Sequence, residues 1–150
     1  MGSGLVACLS LFCGLLTAEM SSPSKRQAVC EDVMKEADRQ GVEPLLAVAV
    51  AWRESALTRN AKSSAGAVGP MQVIPRFWCK SKPCDYIEAG IRALKYYTGR
   101  YGVQRGLCAY LTGKPCEYGG HTVSAYRSAV IMKAAEFSDL WSRVCDVDGC

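Results

Sequence analysis

Leu45 to Trp52 reads LLAVAVAW, eight residues that are apolar on every face of a helix. A helix with no polar face has to be surrounded. This one is too short to cross a bilayer, which takes about 20 such residues, so it implies the centre of a helical domain. Pro44 fits a first helical turn, and the segment predicts a helix from about Pro44 to Arg59. Candidates for its neighbours follow from periodicity. Val29, Cys30, Val33, Met34 and Ala37 form an apolar stripe over about 25–40, with Gly41 as a stop. Ile87, Ile91 and Leu94 form another over about 85–98, and a short helix is predicted near 104–112. Val123, Tyr126, Val130, Ala134, Phe137, Trp141 and Val144 step by 3, 4, 4, 3, 4 and 3 along a last helix of about 122–144. Loops rich in Gly and Ser separate these segments at 60–70 and 113–120, and a polar one lies at 79–84. Met71 to Ile74 is short and apolar, and periodicity does not decide between strand and helix there. With 150 residues, 49% of them hydrophobic, the chain is expected to be one mainly α domain.

Residues 1–18 carry no charge, and Leu5 to Ala18 is an almost unbroken apolar run. Its length suits the core of a signal peptide, with cleavage after Ala18, although no positive residue precedes it. The alternatives are a short buried N-terminal helix, a retained membrane anchor, or a lipoprotein box at Leu5-Val6-Ala7-Cys8. The domain is expected to span 25–145, with 146–150 as a tail. Nine cysteines are many for this length. Export would favour disulfides over thiol or metal chemistry. Cys79 with Cys84 and Cys108 with Cys116 would close short loops. Cys30 with Cys145 would tie the first helix of the domain to the last, leaving Cys150 unpaired. The spacings CKSKPC and CAYLTGKPC do not match a zinc site, and no metal or cofactor is expected. With His121 as the only histidine, paired-His metal helices are excluded, and a cysteine nucleophile has one candidate base.

Glu54 is the odd residue of the central helix. Its neighbours one turn away are Val50, Ala51, Leu57 and Thr58, and no cation stands at a spacing that pairs with it. A carboxyl on an apolar face keeps its proton to higher pH, which is what a general acid requires. The competing reading is a helix that simply emerges into solvent near Arg53 and Arg59. The formal charge of +4 suits an anionic wall or a nucleic acid. No basic cluster interleaved with aromatics and no nucleic-acid motif is present, so no nucleic-acid partner is expected.

The 27 residues from Ala49 to Pro75, AVAWRESALTRNAKSSAGAVGPMQVIP, resemble the soluble lytic transglycosylase family, relatives of goose-type lysozyme. Glu54-Ser55 matches the end of that family's apolar helix. Asn60 and Ser64 to Gly66 match its loop, and Gly69, Met71 and Gln72 match its glycine and Met-Gln pair. A weaker second block adds Ile87 to Ala93, the Ala109-Tyr110 pair and Tyr126 in the last helix. Two positions depart from the pattern: Pro70 replaces a larger aliphatic residue, and Leu111 replaces an Asn.

The resemblance implies a lysozyme-like domain with a cleft and the cleavage of peptidoglycan at the β-1,4 bond after N-acetylmuramic acid. Glu54 would be the catalytic acid and then base, and Tyr110 would donate a hydrogen bond to it. Ser55, Met71, Gln72, Tyr110 and Tyr126 would contact substrate, with packing in the core as the plainer role for Met71 and Tyr110. A hydrolytic lysozyme on the same fold, with Asp85 or Glu88 as second carboxylate, is an alternative; a wall-binding component without turnover, suggested by Pro70 and Leu111, is another. The implied partners are glycan strands of the wall and a secretion or conjugation apparatus or a phage. The expected setting is a monomer in the periplasm or outside the cell.

Overall fold

The computed structural model describes residues 2–118 and 120–145. The chain runs through α1 (Ser3–Thr17), α2 (Pro23–Gln40), α3 (Pro44–Ser55), α4 (Pro75–Trp78), α5 (Tyr86–Tyr101), α6 (Val103–Thr112), a 3-10 turn (Cys116–Tyr118) and α7 (Gly120–Cys145). The mainly α reading holds, and no strand forms among the described residues beyond the isolated bridges Lys62–Val68 and Val68–Val73. Those bridges settle Met71–Ile74: Val73 pairs with Val68 across a turn.

Helix α3 is the axis of the fold. Leu46 to Ala51 are all buried, which no amphipathic helix would allow, and α2 and α7 pack on it. Glu43 caps its start by accepting from the Leu46 N–H at 2.7 Å. The helix stops at Ser55 rather than near Arg59. Ala56 (φ 50°) and Leu57 (φ 60°) take left-handed backbone, a conformation their residue types do not announce and that costs about 1–2 kcal/mol each. The Arg26 guanidinium holds this break by donating to the Ala56 carbonyl and the Thr58 hydroxyl, and the break turns Leu57 fully into the core. Helix α5 starts on Asp85, whose carboxylate accepts from the N–H groups of Ile87 and Glu88, both at 3.0 Å. Gly106 lets α6 lie against α5, since a Cβ there would stand 2.7 Å from the Thr98 Cα.

The N-terminal run is part of the core. Leu9, Phe12, Cys13 and Thr17 of α1 are buried against α2 and α7. The Phe12 ring meets those of Phe137 and Trp141 edge-on at 6.1 and 5.5 Å. In this structure the run is thus a packed helix, and no helix among the described residues is long and apolar enough to cross a membrane. This packing corrects the cysteine pairing. Cys30 joins Cys13 (Cα–Cα 5.7 Å) and Cys145 joins Cys8 (5.6 Å), because α1 lies between α2 and α7 and reaches both before they reach each other. The local pairs Cys79–Cys84 and Cys108–Cys116 form as expected. The expected tail 146–150, with Cys150, lies outside the described residues.

Candidate active site

Glu54 sits in the last turn of α3, just before the left-handed break, and its carboxyl faces a cleft of about 450 Å³. The opposite walls come from the 63–74 loop, α4, α5 and α6, through Gln72, Phe77, Trp78, Ala93, Tyr97, Tyr110 and Leu111 among others. Glu54 is the one carboxylate among the described lining residues. It is half-buried and makes no ion pair among the described residues. Burial lifts its pKa above the ordinary 4.5; the Tyr126 hydroxyl beside it and the nearby Arg53 charge pull the other way and offset only part of the rise. The site thus favours the protonated acid.

Two tyrosines stand near this carboxyl, and their roles differ from the expected ones. Tyr110 donates its hydroxyl proton to the Met71 carbonyl, not to Glu54. It lines the cleft and ties α6 to the loop. Tyr126 of α7 is only 5% exposed, and its hydroxyl makes no direct hydrogen bond among the described residues. It stands in the field of Glu54 without closing a bond to it. Burial and the neighbouring carboxylate push both phenols well above their usual range, so both stay protonated donors.

The loop between Ser55 and Ile74 is built from the residue types that mark the motif. The Ser55 hydroxyl donates to the Pro70 carbonyl at 2.7 Å and accepts from the Thr58 N–H at 3.1 Å, so it staples the helix end to the loop instead of lining the cleft. Gly69 (φ +80°) has room only as glycine, because a Cβ there would stand 2.6 Å from the Tyr86 Cβ. Pro70 is buried behind the wall. Met71 is 0% exposed and packs on Gly90; it is a core residue, and its carbonyl, not its thioether, serves the site. Gln72 is the one member of the Met-Gln pair that reaches the cleft. It holds left-handed backbone (φ 54°), and its amide donates to the carbonyls of Gly69 (3.0 Å) and Ala61 (3.3 Å). Left-handed non-glycine residues thus flank the site on both sides, a costly arrangement that functional sites tend to concentrate.

Asp85 and Glu88, candidates for a second carboxylate, are engaged elsewhere. Asp85 caps α5 and Glu88 pairs with Arg92 at 2.9 Å; neither lines the cleft. Among the described residues no cluster of His, Cys, Asp or Glu is arranged to hold a metal ion. Sequence reasoning missed the aromatic wall of Phe77, Trp78 and Tyr97. The available signal was the adjacent pairs Phe77-Trp78 and Tyr96-Tyr97, large rings beside polar loops with no stripe to bury them.

The family model of the transglycosylase SLT domain matches residues 32–118, from α2 to the 3-10 turn, and so takes in Glu54, the loop and the aromatic wall. No curated protein and no solved structure matches the chain. With more than half its length under that model, the chain belongs to the transglycosylase SLT domain family, the lytic transglycosylases that act on cell-wall peptidoglycan.

Proposed function

We propose that this chain cleaves the β-1,4 bond after N-acetylmuramic acid with Glu54 as its only catalytic group, releasing a 1,6-anhydro end. The observation that carries the reading is the single half-buried carboxyl, with its raised pKa, facing the cleft. Paired-carboxylate glycosidases place a second acid across the scissile bond, and the described lining offers none. A lone acid suffices when the sugar supplies the nucleophile. Glu54 gives its proton to the glycosidic oxygen as the bond from the anomeric carbon to that oxygen breaks. The resulting carboxylate accepts the proton of the muramic 6-hydroxyl as that oxygen bonds to the anomeric carbon. One proton leaves the enzyme and one returns, and no water is consumed. A pKa above the ordinary range suits both halves, because the acid keeps its proton to higher pH than an ordinary glutamate while its conjugate base gains strength.

The other roles follow from position. Tyr126, buried near Glu54, tempers the rise in that carboxyl's pKa. Gln72 and Tyr110 face the strand, and Ser55 and Met71 hold the wall from behind. The four disulfides suit an oxidising compartment, so the proposed setting is outside the cytoplasm. Residues 1–18 would direct export as a retained segment, since Cys8 and Cys13 cross-link it to the domain, and local wall opening for a secretion or conjugation apparatus or a phage is the proposed task. Mass analysis of fragments released from purified peptidoglycan tests the chemistry. Anhydro ends support the reading. Reducing ends, heavier by one water, would assign a hydrolase instead.

A further inference from the structure

Helix α4 is a single turn at the mouth of the cleft, and its backbone is pinned from several directions. The Arg92 guanidinium donates to the Trp78 carbonyl. The Cys79–Cys84 disulfide closes the loop at the next residue, and Asp85 then caps α5. The Trp78 ring meets Tyr96 and Tyr97 edge-on at 5.8 and 5.7 Å, and Tyr97 meets Tyr110 at 6.4 Å. On this rigid base Phe77 is 66% exposed although it lines the cleft. A phenyl ring held in water forgoes burial that would stabilise the fold. Arg76, exposed on the same turn, holds its guanidinium 4.6 Å from the centre of the Phe77 ring. It makes no ion pair or side-chain hydrogen bond among the described residues, and no carboxylate among them is set against it.

We propose that Arg76 and Phe77 form a specificity-determining subsite. Phe77 stacks on the apolar face of a hexose ring lying along the cleft, and Arg76 pairs with a carboxylate of the peptide stem that hangs from that sugar. The proposal rests on the glycan reading of the cleft. The disulfide keeps the lip in place, so Cys79 and Cys84 are positioning residues for it. The pair would make the protein select stem-bearing strands over bare ones.

The test measures Kd by calorimetry for two soluble glycan preparations, one bearing its peptide stems and one stripped by an amidase. The parent protein is Glu54→Gln, so that strands stay intact. Loss of a stacked ring is worth about a fivefold to tenfold change in Kd, and Phe77→Ala is expected to weaken both glycans by about that factor. Arg76→Ala is expected to weaken only the stem-bearing strands, by about threefold to tenfold as a charge-assisted contact, and Arg76→Lys to restore part of the loss. Paired replacement of Cys79 and Cys84 by Ser should weaken both glycans. Both side chains are exposed, so Phe77→Ala and Arg76→Ala are expected to keep the parental melting temperature. Equal Kd values across these proteins, an Arg76→Ala effect that persists on stripped strands, or no glycan binding by the parent would each overturn the proposal. Failure of the catalytic reading would look different: wild-type protein would bind strands as described and release nothing from them.

Discussion

Gly90 and Gly99 lie on the same helix, and replacing each by Ala is expected to move stability in opposite directions. Alanine gains about 0.5–1 kcal/mol over glycine inside a helix. At Gly99 a new Cβ meets nothing within 4 Å, so this gain stands alone. At Gly90 the new Cβ would lie 2.6 Å from the Met71 Cβ, 2.9 Å from its sulfur and 3.1 Å from its Cγ. A far methyl could swing aside, but a Cβ moves only with its backbone. Overpacking of this kind costs about 1–3 kcal/mol, so Gly90→Ala should be destabilising by about 0.5–2 kcal/mol after the helix gain is deducted. The displaced backbone carries the Met71 carbonyl that Tyr110 grips and the Gln72 side chain in the cleft. Turnover of peptidoglycan should therefore fall together with stability at Gly90, and only there. Urea unfolding of both variants, with a turbidity assay on purified sacculi, reads both effects. A Gly90→Ala protein as stable and as active as Gly99→Ala would refute the claim that this contact sets the cleft wall.

Other consequences concern caps, the N-terminal helix and protonation. Asp85→Ala removes the acceptor of two N–H groups and should cost about 0.5–2 kcal/mol in urea unfolding. A chain beginning at Glu19 loses the Cys8–Cys145 and Cys13–Cys30 cross-links and uncovers Met34 and Phe137, which α1 covers through Cys13 and Phe12. Each native disulfide is worth about 2–5 kcal/mol against a total of about 5–15, so thermal unfolding should show most of the stability gone. Tyr126→Phe removes a buried hydroxyl without a partner and one of the influences that lower the Glu54 pKa. It should keep or raise the melting temperature and move the alkaline limb of the rate profile to higher pH. Glu54 itself holds a proton in the folded state over a window that opens near 4.5, where the unfolded chain has lost it. Wild-type stability should fall as pH rises through that window, and Glu54→Gln should lack the fall.

Which parts were legible follows from what each signal depends on. Burial patterns over long helices are local in sequence, so α2, α3, α5 and α7 could be placed to within a few residues. The end of α3 could not, because its break rests on left-handed Ala56 and Leu57 held by Arg26, a partner thirty residues away. The N-terminal run has the same composition whether it leaves as a leader or packs as a helix; only the shape of the groove between α2 and α7 distinguishes the two. Cysteine pairing failed for the same reason, since Cys30 and Cys145 find their partners on α1. At the cleft, residue type marked Glu54 and Gln72, whereas a side chain's face on a loop is set by tertiary contact. Ser55 and Met71 therefore carry the motif from behind the wall, and Tyr110 bonds a carbonyl in place of the acid.

Turnover of purified sacculi by Glu54→Gln, compared with wild type at neutral pH, bears most directly on the account. Removal of a positioned general acid and base costs about 10²–10⁴-fold, so the variant should release muropeptides at least about a hundredfold more slowly while melting no earlier than wild type. Release at the wild-type rate by a folded Glu54→Gln protein would contradict it.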